Sequence, residues 1–416
     1  MSSSRTSDPI RVLHVITRMI LGGAQENTLL SVEGLNRRPG FVSDLVSGVD
    51  DGPEGELLTR ARQCARVVVV PEMARRISPV DDLVALRKLY RIIREGRYHI
   101  VHTHSSKAGV LGRLAARLVG TPVVVHTLHS LVFHDYQPWL VNRAARIVKR
   151  LCVPLTDHYI SVSSVIAERA IAAGIGTRQS MTTIYSGMEL DWFLDAKVDV
   201  AAVRRELGIP PDAPVIGKIA RLFPLKGHDE LLDAAPAIVH AVPNVRFLLV
   251  GDGILKDHLA DRARQAGILE NFVFAGLVPR ERIPDMIGAM DVVAHTSLRE
   301  GLARVLPQAL AMGKPCVSFD LDGAPEVVRP GQTGYLVPAG DATMLAARAI
   351  DLVRDPALRA RLGDNGRRLV DPMFRAEKMV EDIVVVYGAM LSRHAGRLAA
   401  FTAGSWKSSR SPWPFG

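Results

Sequence analysis

The sequence predicts an α/β protein built from two doubly wound halves, and three observations carry that prediction. The chain has 416 residues, too many for one ordinary core. Short β-branched runs alternate with helical stretches along its length, and nearly continuous apolar strands separated by helices belong to parallel sheets covered on both faces. Hydrophobic residues make up 48% and charged residues 23%, the composition of a folded protein rather than a disordered one.

Taken in order, the strand candidates before residue 190 are RVLHVIT, SDLVSG, RVVVVP, HIVHTH, PVVVHTLH, HYISVS and TTIYSG. After residue 212 come VIGKIAR, VRFLLVG, FVFAGL, VVAHTS, PCVSF and GYLVP. Between the two sets, residues 188–214 lose the strand rhythm and end in Pro210, Pro211 and Pro214, as a linker would. The expected layout is an N-terminal domain over 1–190, a linker over 191–212 and a C-terminal domain over 213–375. Residues 393–416, rich in Gly, Ser and Pro, read as a loose tail.

Cys64, Cys152 and Cys316 lie far apart with no CxxC spacing, which argues against a disulfide framework or a zinc site and fits a reducing compartment. The opening MSSSRTSDPI lacks the apolar stretch of a signal peptide, and no run of about 18 apolar residues follows, so a cytoplasmic protein is expected. Of the net charge of +9, about +8 falls in residues 1–190 and about +1 in the rest, which suggests an anionic partner for the first half. Two amphipathic basic stretches contribute. Residues 86–99 read as the solvated face of a surface helix. Residues 142–153, where Arg143, Arg146, Lys149 and Arg150 crowd beside Trp139, are a candidate for contact with an anionic membrane surface, with a solvated face as the alternative. Nucleic acid is not an expected partner, because aromatics are only 5% and do not interleave with the basic residues.

Ligands of open α/β sheets bind beyond the carboxyl ends of the strands. After the first strand, Gly22 and Gly23 lead into a helix, where backbone could approach a phosphate or sugar oxygen closely. A simple chain reversal would use the same pair. Neither this loop nor VGDGILKD (250–257) is a complete dinucleotide fingerprint, so a nicotinamide enzyme is disfavoured. Arg221 ends the first strand of the second half and Lys226 follows just before a helix; the two can converge on one anion with the helix N-terminus behind them. The alternative is two solvated cations. In HTSLREGLARVLPQALAMG (295–313), Pro307 puts a helix start near 304–307 and leaves Glu300 on the preceding loop. Free N–H groups at that start can hold phosphate, while Glu300 accepts hydrogen bonds from hydroxyls. A nucleotide sugar satisfies both demands.

Two groupings look like metal ligands and are read otherwise. HTH (His102, Thr103, His104) and HTLH (His126, His129) end buried strands without a carboxylate or cysteine at ligand spacing. Asp320 and Asp322 sit on a loop leading to GAPEVV, where Gly323 and Glu326 are expected to shape a pocket wall.

The ordered set of Gly-Gly loop, HTLH, ARLFPLKG, VGDG, EGLARVLPQALAMGKP, DGAPEVV and GQTGYLVP resembles the retaining GT-B glycosyltransferases of family 4, across roughly residues 10–390. The resemblance implies two Rossmann-like domains facing across a cleft, the acceptor mainly on the first and the nucleotide sugar mainly on the second. It also implies that no metal or other cofactor is needed, and that helix 376–391 crosses back to the first domain. By position, Arg221 and Lys226 resemble the family's diphosphate-binding pair, Glu300 the glutamate that holds donor sugar hydroxyls, and His129 the histidine that faces the donor sugar. Gly22 and Gly23 match the N-domain glycine loop. Gly301, Leu302, Ala303, Arg304 and Val305 would supply backbone N–H groups near the phosphates, with Asp252 and Gly253 near the nucleotide. One departure stands out: the family's second glutamate, which receives the ribose hydroxyls, is Gln308 here, with one acceptor oxygen in place of two. Ser130 also replaces a common glycine.

The expected activity is transfer of a hexose from a nucleoside diphosphate sugar, UDP in preference to GDP on family frequency, to an acceptor hydroxyl with retention. A saccharide or lipid-linked acceptor in envelope or extracellular polysaccharide or glycolipid synthesis would place the enzyme on the cytoplasmic membrane face. Two alternatives stay open. A GT-B sugar-nucleotide epimerase would need no acceptor, and a binding-only relative silenced by Gln308 would turn nothing over.

Overall fold

The computed structural model describes residues 8–49, 57–74, 76–134 and 136–402. Its strands form two sheets. The first contains β1 (Ile10–Ile16), β2 (Phe41–Ser47), β3 (Val67–Val69), β4 (Ile100–Thr103), β5 (Val123–Leu128), β6 (His158–Ser161) and β7 (Met181–Thr183), in the order β3-β2-β1-β4-β5-β6-β7. The second contains β8 (Val215–Ile219), β9 (Arg246–Val250), β10 (Phe272–Gly276), β11 (Val292–His295), β12 (Cys316–Phe319) and β13 (Gly334–Val337), in the order β10-β9-β8-β11-β12-β13. Neighbouring strands in both sheets run parallel. Parallel pairs cannot be closed by a hairpin, so a helical crossover joins them and covers the sheet face. That is why strands such as β5, VVVHTL, are buried at every position. In both sheets the strand order reverses beside the first strand, between β1 and β4 and between β8 and β11. These reversals are the switch points where open α/β sheets hold their ligands.

The chain divides into two compact units, Met1–Met188 with Ala376–Gly416, and Glu189–Arg375. The helix Ala376–Arg393 therefore belongs to the first unit, where Met379, Val380, Ile383 and Tyr387 join Val12, Leu30, Ile100 and Val125 in one core. Close approach is possible because Gly34 stands opposite Val380: a Cβ at residue 34 would lie 2.4 Å from Val380 Cγ2. Asn27 Nδ2 also donates to Ser186 Oγ at 3.1 Å beneath this helix. The tail expected over 393–416 begins as a further helix, Ala395–Thr402, which packs Leu398 on the first-unit core and Phe401 edge-on to His99, with Arg397 Nη1 donating to Asp157 Oδ1 at 2.9 Å; residues 403–416 lie outside the described residues.

The linker expected over 191–212 is instead folded into the second unit. Asp191–Leu194 and Val200–Glu206 are helices, the latter capped by Asp199, whose Oδ1 accepts from Ala202 N at 2.9 Å. Arg204 fastens this segment by donating to Ala289 O and to Asp291 Oδ2, the latter at 3.0 Å. Val198 packs so closely on Gly288 that a Cβ there would lie 2.8 Å from Val198 Cγ1. The helix ends at Glu206, ahead of left-handed Gly208, and Pro210, Pro211 and Pro214 lie between it and β8.

Candidate active site

In the second unit, the loops after β8 and β11 meet at the switch point and are stitched together through the backbone. Leu298 N donates to Leu225 O at 3.0 Å, Ser297 Oγ to Lys226 O at 3.4 Å, and Thr296 Oγ1 to Gly227 O. Such contact demands glycine at 227: its φ is +69°, and a Cβ would stand 1.6 Å from Thr296 O. Across this seam Lys226 Nζ donates to Glu300 Oε1, both side chains being partly enclosed. Glu300 is oriented from behind, its N–H donating to Asp322 Oδ2 at 2.7 Å while Gly323 N donates to Gly301 O at 3.0 Å. Asp322, set aside above as a metal ligand, is thus a support for the Glu300 backbone.

Arg221 is exposed at the start of the first loop, its guanidinium 5.3 Å from the centroid of Phe223, and its carbonyl accepts from His228 Nε2–H at 3.0 Å. The Asp252–Gly253 turn packs on the same loop: Leu222 N donates to Asp252 O at 2.9 Å, and a Cβ at Gly253 would lie 2.4 Å from Leu222 O. Gly301, Leu302, Ala303 and Arg304 lead into the helix Val305–Ala311, and Gln308 N donates to Arg304 O at 3.1 Å. Gln308 is half-buried on that helix, while Leu302, Ala303 and Val305 are buried. The structure therefore gathers Arg221, Lys226, Asp252, Gly253, Glu300, Gly301, Arg304 and Gln308 at the carboxyl ends of β8, β9 and β11.

The sequence reading passed over Lys218. It lies buried on β8, its Nζ donating to Thr296 Oγ1 at 2.8 Å beneath the Lys226–Glu300 pair. Burial, with Lys226 nearby, pulls its pKa down to about 7. A lone lysine inside the apolar run VIGKIA was the available signal.

In the first unit, Gly22 precedes the helix Gly23–Asn36 and its carbonyl accepts from Glu26 N at 2.9 Å. Its backbone is extended, with φ 174°, and among the described residues an added Cβ would meet only the movable end of Gln25, so chain geometry there does not require glycine. Beside this helix start, a cavity of about 560 Å³ opens at the carboxyl ends of β1 and β4, lined by Thr17, Gln25, Asp82, Ser105 and Lys107 among others. Its Lys107 Nζ lies 2.5 Å from Asp82 Oδ1.

His129 follows β5, half-buried, with Nε2 3.0 Å from His104 Nδ1; His104 Nε2 in turn lies 3.0 Å from His14 Nδ1. His14, which the sequence did not single out, is brought in by strand register, since His14 on β1 pairs with His102 on β4. His14, His102 and His104 place ring nitrogens within 4.8 Å of one another, close enough to hold a metal ion. The ring nitrogens of His102 are already engaged, with Tyr387 Oη at 2.6 Å and Thr127 Oγ1 at 2.7 Å. Burial lowers the pKa of His14 to about 3 and of His129 to about 4, so both rings are neutral near pH 7. His126 bonds elsewhere, to Thr103 Oγ1 at 2.9 Å.

The helix Trp139–Leu151 departs from ordinary packing. Trp139, Leu140 and Leu151 are 66%, 61% and 69% exposed, flanked by exposed Arg143, Arg146 and Arg150. Lys149, counted above with the basic face, is instead buried, and burial pulls its pKa down to about 8. No helix among the described residues is long and apolar enough to cross a membrane.

Two parallel, doubly wound units, one with a lysine–glutamate pair at its switch point, define a GT-B protein. Comparison with known proteins supplies the family. Residues 21–192 match the family model described as Glycosyltransferase Family 4, and residues 199–369 the one described as Glycosyl transferases group 1. The chain is similar to the D-inositol 3-phosphate glycosyltransferase of Streptomyces avermitilis, with 30% identity over 319 residues, 73% of this chain and 68% of that one. It is 28% identical over 394 residues, 92% of this chain and 97% of the other, to the UDP-Gal:alpha-D-GlcNAc-diphosphoundecaprenol alpha-1,3-galactosyltransferase of Escherichia coli. The crystal structure of HepE from Anabaena in complex with UDP and glucose shares the fold, with a TM-score of 0.77 at 23% identity over 91% of this chain and 99% of that one. The chain belongs to the group 1 glycosyltransferases.

Proposed function

We propose that this glycosyltransferase moves a hexose from a UDP-sugar to an acceptor hydroxyl, with retention of anomeric configuration and without a metal. The observation that carries the reading is the pairing of Lys226 with Glu300 at the switch point of the second unit. A cation for the diphosphate and a carboxylate for sugar hydroxyls sit there on two stitched loops, with Arg221 at the head of the first. UDP is preferred because the Escherichia coli relative is named for UDP-Gal and HepE was crystallised with UDP.

The acceptor oxygen bonds the anomeric carbon as the carbon–oxygen bond to the diphosphate breaks. The bonding pair leaves with the diphosphate, and the hydroxyl proton passes to a departing phosphate oxygen. No protein nucleophile is needed. Arg221, Lys226 and backbone N–H groups of 301–305 hold the growing negative charge, and His129 faces the donor sugar. Asp252 and Gly253 lie toward the nucleotide, with Gln308 on its ribose.

Gly22 and Gly23 count among the donor-binding residues, and the acceptor side is the first unit, with the cavity beside Lys107. A lipid-linked saccharide in envelope polysaccharide or glycolipid synthesis fits the relative's diphosphoundecaprenol substrate. The exposed apolar and basic helix Trp139–Leu151 is suited to an anionic membrane surface, and a cytoplasmic, peripheral enzyme follows.

The first experiment is thermal stabilisation across UDP, GDP, ADP and NAD, each with and without magnesium, followed by turnover of UDP-sugars with a diphosphate-lipid saccharide and NMR of the product anomer. A magnesium-independent shift with UDP and an α-linked product from an α-donor support the proposal. A shift with NAD alone, or interconversion of nucleotide sugars without acceptor, sinks it. Flotation with anionic vesicles tests the membrane contact, and equal flotation of a Trp139→Ser, Leu140→Ser, Leu151→Ser variant would remove it.

A further inference from the structure

His14, His104 and His129 form a continuous relay across the carboxyl end of the first sheet. The rings of His14 and His104 are stacked with centroids 5.2 Å apart, and those of His104 and His129 5.3 Å apart. Both ring-to-ring contacts are 3.0 Å between nitrogens. His14 and His104 are fully buried, and His14 Nε2 is buried with no hydrogen-bond partner among the described residues. Burial lowers the pKa of all three rings, so each carries one N–H and one bare nitrogen.

Three neutral rings joined by two contacts allow two proton orders. In one, His129 Nε2–H donates to His104 Nδ1, His104 Nε2–H donates to His14 Nδ1, and the last proton sits on His14 Nε2 as an orphaned donor in the core. In the other, His14 Nδ1–H donates to His104 Nε2, His104 Nδ1–H donates to His129 Nε2, and the orphan at His14 is only a lone pair. A buried N–H without an acceptor is rarer than an under-used acceptor, and leaving a donor unsatisfied costs its full desolvation. The second order is selected. The tautomer of a histidine is set by the bond its other nitrogen makes, so His129 carries its proton on Nδ1, the edge turned away from His104.

We propose that His14 and His104 are positioning residues that lock His129 as the Nδ1–H tautomer, so that it presents a hydrogen-bond donor to an oxygen of the donor sugar. The inference rests on the role of His129 given under Proposed function, but the tautomer can be read without any substrate. In ¹⁵N-histidine-labelled enzyme at neutral pH, long-range ¹H–¹⁵N spectra should show His104 and His129 protonated at Nδ1, the latter assigned by its loss in His129→Gln. Protonation of His129 at Nε2 overturns the proposal even if the enzyme is a fully active transferase. Conversely, an Nδ1–H tautomer in a protein that transfers no sugar upholds the relay and sinks the assigned reaction.

Kinetics test the consequence. His14→Leu should lower kcat about tenfold, the scale of one hydrogen bond, with UDP affinity unchanged, and should mix the tautomers of His129. His14→Asn, whose amide N–H stands where the Nδ1–H stood, should recover most of the turnover. Loss of turnover in both variants with His129 still protonated at Nδ1 would make His14 a packing residue only and overturn the positioning role. Should His14→Leu not fold, the wild-type tautomer decides.

Discussion

Lys226 and Glu300 lie 74 residues apart in sequence and share a hydrogen-bonded ion pair across the seam between the loops after β8 and β11. Each is the other's nearest counter-charge, so on our reading a bound diphosphate competes for Lys226 and hands Glu300 to the sugar hydroxyls. Lys226→Ala should lower kcat about a hundredfold, because a cation at the leaving group acts most strongly in the transition state. Glu300→Gln should weaken use of the donor sugar while leaving UDP binding nearly intact. The double variant should cost less than the product of the two, since neighbours in one ion pair are coupled. Steady-state kinetics of the four proteins check this, and near-normal kcat for Lys226→Ala would remove the lysine from the reaction.

The seam itself is built on Gly227. A side chain there meets backbone at 1.6 Å and must also hold φ at +69°, so Gly227→Ala should force the two loops apart. The expected cost is about 2 kcal/mol or more, with loss of donor binding, measured by thermal unfolding and by UDP titration. Gly22→Ala is the contrast: its extended backbone and yielding neighbour predict a change within about 0.5 kcal/mol.

Buried neutral histidines make the fold sensitive to acid. His14, His102, His104 and His126 all have folded pKa values pushed below 6.5 by burial, His14 to about 3. The unfolded chain binds protons at these rings near pH 6.5 while the folded chain refuses them. Stability is therefore complete above that pH and falls as pH drops through the window between 6.5 and the folded values. Each such ring contributes a slope of about 1.4 kcal/mol per pH unit once well inside the window. Calorimetry should find a steep fall in Tm from pH 6.5 to 5, with several protons taken up on unfolding. A flat Tm over that range would contradict the buried, neutral cluster.

The strand–helix rhythm and the loops after strands were legible because apolar runs and turn residues are local signals. Arg221, Lys226 and Glu300 could be named because each lies on a loop after a strand, whereas Asp252 and Gly253 were carried by the resemblance of VGDG to the family. What brings Lys226 to Glu300, or His14 to His104 some 90 residues away, is parallel register, which no local pattern encodes. His14 in RVLHVIT reads as an ordinary buried position for the same reason. The helices Asp191–Leu194 and Val200–Glu206 were obscured by three nearby prolines, although Asp199 carried the capping signal.

Gln308 offers a gain-of-function test. It sits half-buried in the first turns of the helix Val305–Ala311, close behind Glu300–Arg304, and on our reading it takes the place of a glutamate that would receive the ribose hydroxyls. An amide has one acceptor oxygen and an N–H₂ that cannot accept, whereas a carboxylate can take both hydroxyls through charge-assisted bonds. The helix N-terminus also favours a negative charge in these turns. Gln308→Glu should therefore tighten UDP binding about three- to tenfold, with little change in kcat because the ribose is remote from the breaking bond. Isothermal titration with UDP and with UMP checks both halves of the argument, since the two share the ribose and differ in phosphate. An equal gain for both places residue 308 at the ribose; a gain confined to UDP would place it near the diphosphate; no gain would remove it from the nucleotide altogether.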